Sequence, residues 1–360
     1  MTCIAMPLSR RQFVGGLTSA AASSLTARSY ARVVGANDRV NLGLLGHGLI
    51  GRIHARSFTQ LKDVRFAAMA DAYAPRREAF REFAPDAATH SDFRKVLDDR
   101  EIDAVIVATP DHWHALQTMM ACAAGKDVYV EKPVHLFVRE GEWMQQVATR
   151  HRRVVQVGTQ QRSGPHYQRA KDMLRSGAIG DIVSVQCDFF RNIRPGIGTP
   201  ADAAPPADFD WDMHLGPAPA RPFNPNRGIY HFRWFWDTAG GQMTNLGHHS
   251  LDIVHWVFDI EAPKAVSSQG GRWFLKDNGE TPDTQNAIIE YEKFSAVVQI
   301  REAAAGGTKQ PSLLFIGTKG TMNLSRSGFE IVPDRKVSPV NTFAAIIGGH
   351  PIGGPQPVEE

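Results

Sequence analysis

The sequence predicts an α/β domain built on a parallel sheet, followed by an α+β domain whose sheet is mostly antiparallel. Three observations carry this. From Arg39 to about Gly158, short apolar runs alternate with helical spacing, the pattern of a parallel sheet with helices on both faces. The first run, Val40 to Leu45, enters Gly46-x-Gly48-x-x-Gly51 and then a helical stretch. After about residue 260 the chain becomes a succession of short strands, which favours antiparallel pairing.

The chain has 360 residues, long enough for two domains and a sizeable core. Its first thirty residues stand apart. Ser9-Arg10-Arg11-Gln12-Phe13-Val14 is a twin-arginine pattern, a mildly apolar Ala/Ser/Gly stretch follows, and Ser29-Tyr30-Ala31 is a small-x-small cleavage site. Residues 1–31 therefore read as a Tat signal, and the protein as exported by the Tat machinery to the periplasm or beyond. Cleavage after Ala31 removes Arg10, Arg11 and Arg28 and no acid, which takes the formal charge of +3 away entirely. No basic surface for nucleic acid or an anionic membrane is expected in the mature chain. No apolar run is long enough for a transmembrane helix. Cys122 and Cys187, the cysteines that remain, read as buried small apolar residues rather than a disulfide.

The glycine loop is the most informative stretch. Gly46 permits a tight turn, Gly48 lets backbone approach a pyrophosphate, and Gly51 lets the helix pack close to the strand. The N–H groups at the helix start, at Leu49 and Ile50, face the anion. A second strand, Val64 to Ala70, ends in Asp71, twenty residues after Gly51. That is the spacing of a carboxylate that accepts hydrogen bonds from the adenosine ribose, and it favours NAD over NADP. Because NAD is a cytoplasmic molecule, an exported protein is expected to carry it already bound.

Further strands are expected at Ala104–Ala108, Val128–Glu131 and Val154–Val157, with helices between them, among them Arg76–Phe83 and Leu116–Ala124. Their carboxyl ends should line one crevice. They carry Thr109-Pro110-Asp111-His112-Trp113-His114, Glu131-Lys132-Pro133 and Gly158-Thr159-Gln160. Thr109, Asp111, His114, Glu131, Lys132 and Gln160 are thus candidate cofactor contacts. Lys132 at the crevice mouth can also hold a substrate hydroxyl and favour its alkoxide character. Two histidines at i, i+2 in a loop, His112 and His114, are not enough to argue for a metal without a C-x-x-C or H-E-x-x-H motif, and none is expected.

The second half opens with a helix, Tyr167–Ser176, and a long strand, Ile182–Phe190, after which Arg191 is a candidate substrate contact. Residues 195–226 hold eight prolines and read as a long irregular loop. The aromatic run Tyr230 to Trp236 follows; Trp234 reads as core, while Tyr230 and Trp236 are candidate sugar-stacking residues. Helical spacing from Leu251 to Val257 puts Asn245, His248 and His249 at a helix start. His249 is the candidate proton acceptor, since imidazole titrates near neutrality. Asn245 and His248 are candidate substrate contacts. Strands are expected at Ala265–Gly270, Ala287–Tyr291, Ala296–Arg301, Leu313–Ile316 and Thr321–Leu324, and a disordered tail over 333–360.

Taken together, Gly46-x-Gly48-x-x-Gly51, Asp71, Thr109-Pro110-x-x-x-His114, Glu131-Lys132-Pro133, Leu174-x-x-Gly177-x-Ile179-Gly180 and Gly247-x-His249-x-x-Asp252 resemble the glucose–fructose oxidoreductase / inositol dehydrogenase (Gfo/Idh/MocA) family. Asp210–Pro219 and the Arg233-Trp-Phe-Trp segment look like its exported branch. The resemblance covers roughly Val40 to Val332. It implies an N-terminal Rossmann domain (39–158) and a C-terminal α+β domain (159–332) with an open, mostly antiparallel sheet that often forms a homo-oligomer interface. It implies a sugar or polyol substrate between nicotinamide and sheet, with roles for Lys132 and His249. Two departures are visible. Family members usually carry Asp where this chain has Asn245, and many exported members continue through another helix and strand where this chain has a Gly/Pro tail. Three functions fit: oxidation of a sugar hydroxyl with internally recycled NAD, NAD-dependent glycoside hydrolysis through transient oxidation and elimination, or a non-catalytic nucleotide- or sugar-binding relic.

Overall fold

The computed structural model describes residues 39–305 and 309–334. The expected signal, residues 1–31, and the expected tail beyond 334 lie outside the described residues. Residues Val40–Leu45 (β1), Val64–Ala70 (β2), Ala88–His90 (β3), Ala104–Val107 (β4), Asp127–Val130 (β5) and Val155–Val157 (β6) form an all-parallel sheet in the order β3-β2-β1-β4-β5-β6. The strand order reverses between β1 and β4, the place where doubly wound sheets leave a crevice at the strands' carboxyl ends. Leu44, Leu45, Val105, Val107 and Val130 are fully buried, as strands covered on both faces require.

The helix after β1, Leu49–Phe58 (α1), begins directly on the glycine loop. The helix after β4, Asp111–Ala123 (α4; α2 and α3 are Ala74–Phe80 and Arg94–Asp98), starts five residues earlier than the apolar spacing predicts. Pro110 in an extended conformation is its N-cap, and Asp111 supplies the acid favoured in a first turn. His112 and His114 therefore stand on the first turn of a helix and not in a loop. The short β3 and α3 are too brief to be expected from sequence, and the helix Val138–His151 (α5) fills the interval between the fourth and fifth expected strands.

The second sheet runs β13-β12-β11-β7-β10-β9-β8. Its strands are Ile182–Phe190 (β7), Ala265–Gly271 (β8), Thr284–Glu290 (β9), Ser295–Arg301 (β10), Lys309–Gly317 (β11), Gly320–Ser325 (β12) and Gly328–Pro333 (β13). Only β7 and β10 pair in parallel; the other pairs are antiparallel. One face is covered by the helices Pro165–Arg175 (α6) and His248–Phe258 (α8), which bury Leu174, Ile253 and Val257 against Val185, Phe189, Val298 and Phe315. Cys122 and Cys187 are free and buried, and burial pushes the Cys187 thiol up to about 12.

The proline-rich stretch is irregular apart from one short helix, Trp211–Leu215 (α7), capped by the Asp210 carboxylate accepting from Met213 N at 3.0 Å. It is tied to the first sheet. Phe209, Trp211, Leu215 and Phe223 form a small core with Tyr73, and Trp113 Nε1 donates to the His214 oxygen at 3.0 Å. Trp234 is buried, as expected, and Trp236 is exposed.

Candidate active site

The crevice at the end of the first sheet is one wall of a cavity of about 280 Å³. Its floor is the glycine loop. Gly46 has φ +88°, and a Cβ there would lie 2.7 Å from the Ala108 carbonyl oxygen on the neighbouring strand end. Gly51 sits behind the loop, and a Cβ there would be 2.1 Å from the Gly46 carbonyl oxygen. So these glycines act as the spacing implies: one makes the turn, the other lets the helix approach the strand. At the end of β2, the Asp71 carboxylate accepts from His47 N at 2.8 Å and Tyr73 N at 2.9 Å, with Arg76 3.7 Å away. Arg76 also donates to the Ile229 oxygen at 3.0 Å, and Arg77 to the Asp71 carbonyl at 2.6 Å. A turn with no room for a side chain, a helix N-terminus behind it and a fixed carboxylate at the next strand end fit a dinucleotide.

The loops after β4 and β5 are bound to each other. His114 Nδ1 lies 2.6 Å from the Pro133 oxygen and its Nε2 2.8 Å from the Thr109 oxygen, so the ring braces the two strand ends. Thr109 Oγ1 donates to Gln117 Oε1 at 2.7 Å. Glu131 is buried, 2.8 Å from His54 Nε2, and accepts from the Lys132 backbone at 3.2 Å. Burial raises the Asp111 carboxyl above its ordinary value, against the pull of His114, Lys132 and Arg233. Burial lowers Lys132, with Asp111 and Glu131 opposing.

The opposite wall comes from the second half of the chain. A π-helical turn, Met243–Gly247, precedes α8 and turns Asn245 toward the first sheet. Lys132 Nζ donates to the backbone and side-chain oxygens of Asn245, each at 3.2 Å. Asn245 Nδ2 donates to Gln242 Oε1 at 2.9 Å, and Gln242 Nε2 donates to Glu302 Oε1 at 2.8 Å. Arg191 closes this chain through its ion pair with Glu302. His249 is buried on the first turn of α8, and burial, then Lys132 and Arg326, push its imidazole down to about 3. Its ring is therefore neutral near pH 7, with an unprotonated ring nitrogen but less basicity than an exposed imidazole.

Of the residues singled out from sequence, Gly46, Gly48, Leu49, Ile50, Asp71, Thr109, Asp111, His114, Glu131, Lys132, Gln160, Tyr230, Asn245 and His249 all line this cavity. Gly51 supports it from behind. Three are placed elsewhere. Arg191 is held by Glu302 and lies over the Trp234 ring, away from the cavity. Trp236 is turned to solvent, its backbone N–H donating to Glu280 at 3.0 Å. His248, whose ring centre lies 6.2 Å from that of His249, does not line the cavity. The cavity also holds Arg76, which stands beside Asp71 where it bears on the choice between NAD and NADP, and Phe232, Arg233 and Arg326, for which no role is legible in the sequence. Arg233 stands inside an aromatic run that reads as core, and Arg326 on a hairpin turn that carries no motif. Among the described residues, no group of three or more His, Cys, Asp or Glu side chains could hold a metal, and no helix is long and apolar enough to cross a membrane.

Comparison with known proteins gives two family models. Residues 40–159 match "Oxidoreductase family, NAD-binding Rossmann fold" and residues 194–271 match "Oxidoreductase family, C-terminal alpha/beta domain", both of the Gfo/Idh/MocA group. Together they match more than half of the chain. The uncharacterized oxidoreductase YrbE of Bacillus subtilis is 29% identical over 282 residues, 78% of this chain and 72% of YrbE. Inositol 2-dehydrogenase 2 of Saccharopolyspora erythraea is 36% identical over 255 residues, 70% of this chain and 63% of that enzyme, so the chain spans less than two thirds of this relative. Among solved structures, levoglucosan dehydrogenase in complex with NADH and levoglucosan superposes with a TM-score of 0.65 at 20% identity, over 82% of this chain and 80% of that one, a likeness of fold.

Proposed function

The chain belongs to the Gfo/Idh/MocA oxidoreductase family, and on that premise we propose that it oxidises a hydroxyl of a sugar, polyol or glycoside. One observation carries the reading. Lys132, Asn245 and His249 share a single cavity with the glycine loop and Asp71, so a hydroxyl held by the first group lies beside a dinucleotide held by the second. NAD, when bound, supplies the hydride acceptor. The Lys132 ammonium, fixed by the two oxygens of Asn245, polarises the substrate oxygen. Neutral His249 takes the hydroxyl proton. Burial, then Lys132 and Arg326, disfavour the protonated ring, so the proton is held there only transiently. Relatives named for inositol and levoglucosan support a sugar or polyol substrate.

The proposal extends to the rest of the chain. Residues 1–31 direct export, and the cofactor leaves the cytoplasm already bound and is recycled in place by a second carbonyl substrate. The uncovered face of the second sheet carries a row across four strands, Ile288, Val297, Gln186 and Leu314, on which copies of the chain pair. Glycoside hydrolysis through transient oxidation is the second reading. It needs another base near the reacting carbon, and Tyr230, which lines the cavity, is the residue placed for it.

The test is to purify the exported protein with its native cofactor, incubate it with a glycoside panel and weigh the products. Loss of two hydrogens from intact substrate, matched by reduction of cofactor or an added acceptor, is the expected result. Free sugar plus aglycone without net redox change selects the hydrolytic cycle. No reaction, with no NAD recovered from the protein, overturns both.

A further inference from the structure

Three cations face the substrate half of the cavity: Lys132, Arg233 and Arg326. Two have partners. Lys132 bonds Asn245, and Arg233 donates to the Tyr230 oxygen at 2.8 Å and lies over the Tyr230 and Phe232 rings. Arg326 differs from both. Among the described residues no hydrogen bond or ion pair holds its guanidinium, although it lines the cavity beside His249 and a small adjoining recess with Tyr167 and Leu246.

Its backbone, by contrast, is fixed. Arg326 and Ser327 form the two-residue turn between β12 and β13, closed by the Ser325–Gly328 pair. His166 Nε2 lies 3.1 Å from the Ser325 oxygen, and Ser325 Oγ lies 3.0 Å from Ser327 Oγ. Two-residue hairpins favour Asn-Gly or Asp-Gly, so the turn itself gives no reason for arginine here. The acids of the cavity do not answer this charge. Asp71 is bound to His47 and Tyr73 and sits beside Arg76, and Glu131 is bound to His54, both on the cofactor side. Asp111, which is buried, faces Lys132 and Arg233, and Glu131 also acts on Lys132, so two acids stand against the three cations. A substrate entering this half meets more positive charge than negative. A guanidinium fork on a fixed turn matches a planar or tetrahedral anion with two parallel hydrogen bonds.

We propose that the substrate is an anionic sugar, carrying a carboxylate or a phosphoryl group, and that Arg326 is the residue that holds that group. This rests on the reading of the cavity as a sugar-oxidising site. The test uses the NAD-loaded protein and matched triplets of probes in the gluco, galacto and manno series: the neutral hexose, its uronate and its 6-phosphate. Both kcat/KM and calorimetric Kd are measured, for wild type and for Arg326→Gln. One charged member is expected to exceed its neutral counterpart at least tenfold, mainly through KM, and whichever wins identifies the anion. Arg326→Gln is expected to lower kcat/KM and affinity for that member at least tenfold more than for the neutral one, with Arg326→Lys in between. Equal or better use of the neutral sugar overturns the proposal, as does a preference that survives Arg326→Gln. Anionic sugars that bind through Arg326 without being oxidised would sink the functional reading and leave this one standing; no binding of any sugar sinks both.

Discussion

The Lys132 ammonium is shared between two oxygens of a single residue, the carbonyl and the side-chain amide of Asn245, each 3.2 Å away. The bond joins the end of β5 to the turn before α8, and so joins the two halves of the cavity. A cation positioned in this way should act mainly after substrate is bound. Lys132→Met is expected to lower kcat by about 10²–10⁴-fold, the range for a lost acid–base group, while NADH affinity, read by cofactor fluorescence, changes severalfold at most. An unchanged kcat would remove Lys132 from the chemistry.

The identity of residue 245 is set by its neighbours. Asn245 Nδ2 donates to Gln242 Oε1 because the Gln242 amide nitrogen is committed to buried Glu302. Asn245→Asp replaces that donor with an acceptor and forces Gln242 either to face a carboxylate or to turn and abandon Glu302. A loss of about 1–3 kcal/mol in stability is expected for the broken buried bond, with lower turnover. Denaturant unfolding and steady-state rates check it; a variant that is more stable and faster would mark the asparagine as decay.

The glycines of the loop should separate folding from cofactor binding. Gly51→Ala brings a methyl against the Gly46 oxygen, so it should lower the melting temperature with or without NAD. Around Gly48 the nearest atoms to an added Cβ belong to the Arg76 guanidinium at 3.6 Å, an ordinary contact. Gly48→Ala should therefore melt like the wild type without cofactor and lose at least tenfold in NAD affinity. Equal melting behaviour of the two variants would contradict this division of roles.

Acid should unfold the protein through buried histidines. Burial pushes His112 down to about 4 and both His214 and His249 down to about 3, against about 6.5 for a free imidazole. Between these values the unfolded chain binds protons that the folded one does not, so stability is complete above about pH 6.5 and is lost as pH falls toward 3–4. Each such histidine costs about a factor of ten in the folding equilibrium per pH unit within that window. Melting curves between pH 8 and 5 test this, and His112→Gln, which removes one titrating group, should flatten the dependence. A melting temperature that rises on acidification would contradict it.

Where a residue's role is local, it was legible in the sequence. The glycine loop, Asp71 and Lys132 each lie at the end of a strand of one sheet, so periodicity brings them to one edge of the first domain; that His249, at a helix start of the second, faces them is implied only by the family resemblance. The parallel character of the first sheet and the mostly antiparallel character of the second follow from the same patterns. Other residues owe their position to partners far along the chain. Arg191 reads as a free strand-end cation, yet Glu302, 111 residues away, holds it. Trp236 and Trp234 are two positions apart in one aromatic run and only one of them is buried. Arg326 enters the cavity because β12 and β13 form the edge of the sheet next to α6, which no short-range signal encodes.

The chain of bonds from Glu302 through Gln242 to Asn245 runs in one electrical direction. A buried carboxylate draws the Gln242 N–H, which leaves the Gln242 oxygen richer in electrons; that oxygen draws the Asn245 N–H, and the Asn245 oxygen gains in turn. Such chains strengthen each link by about 10–30% per bond in a low-dielectric interior. The amide oxygen facing Lys132 is thus polarised by an acid two hydrogen bonds away.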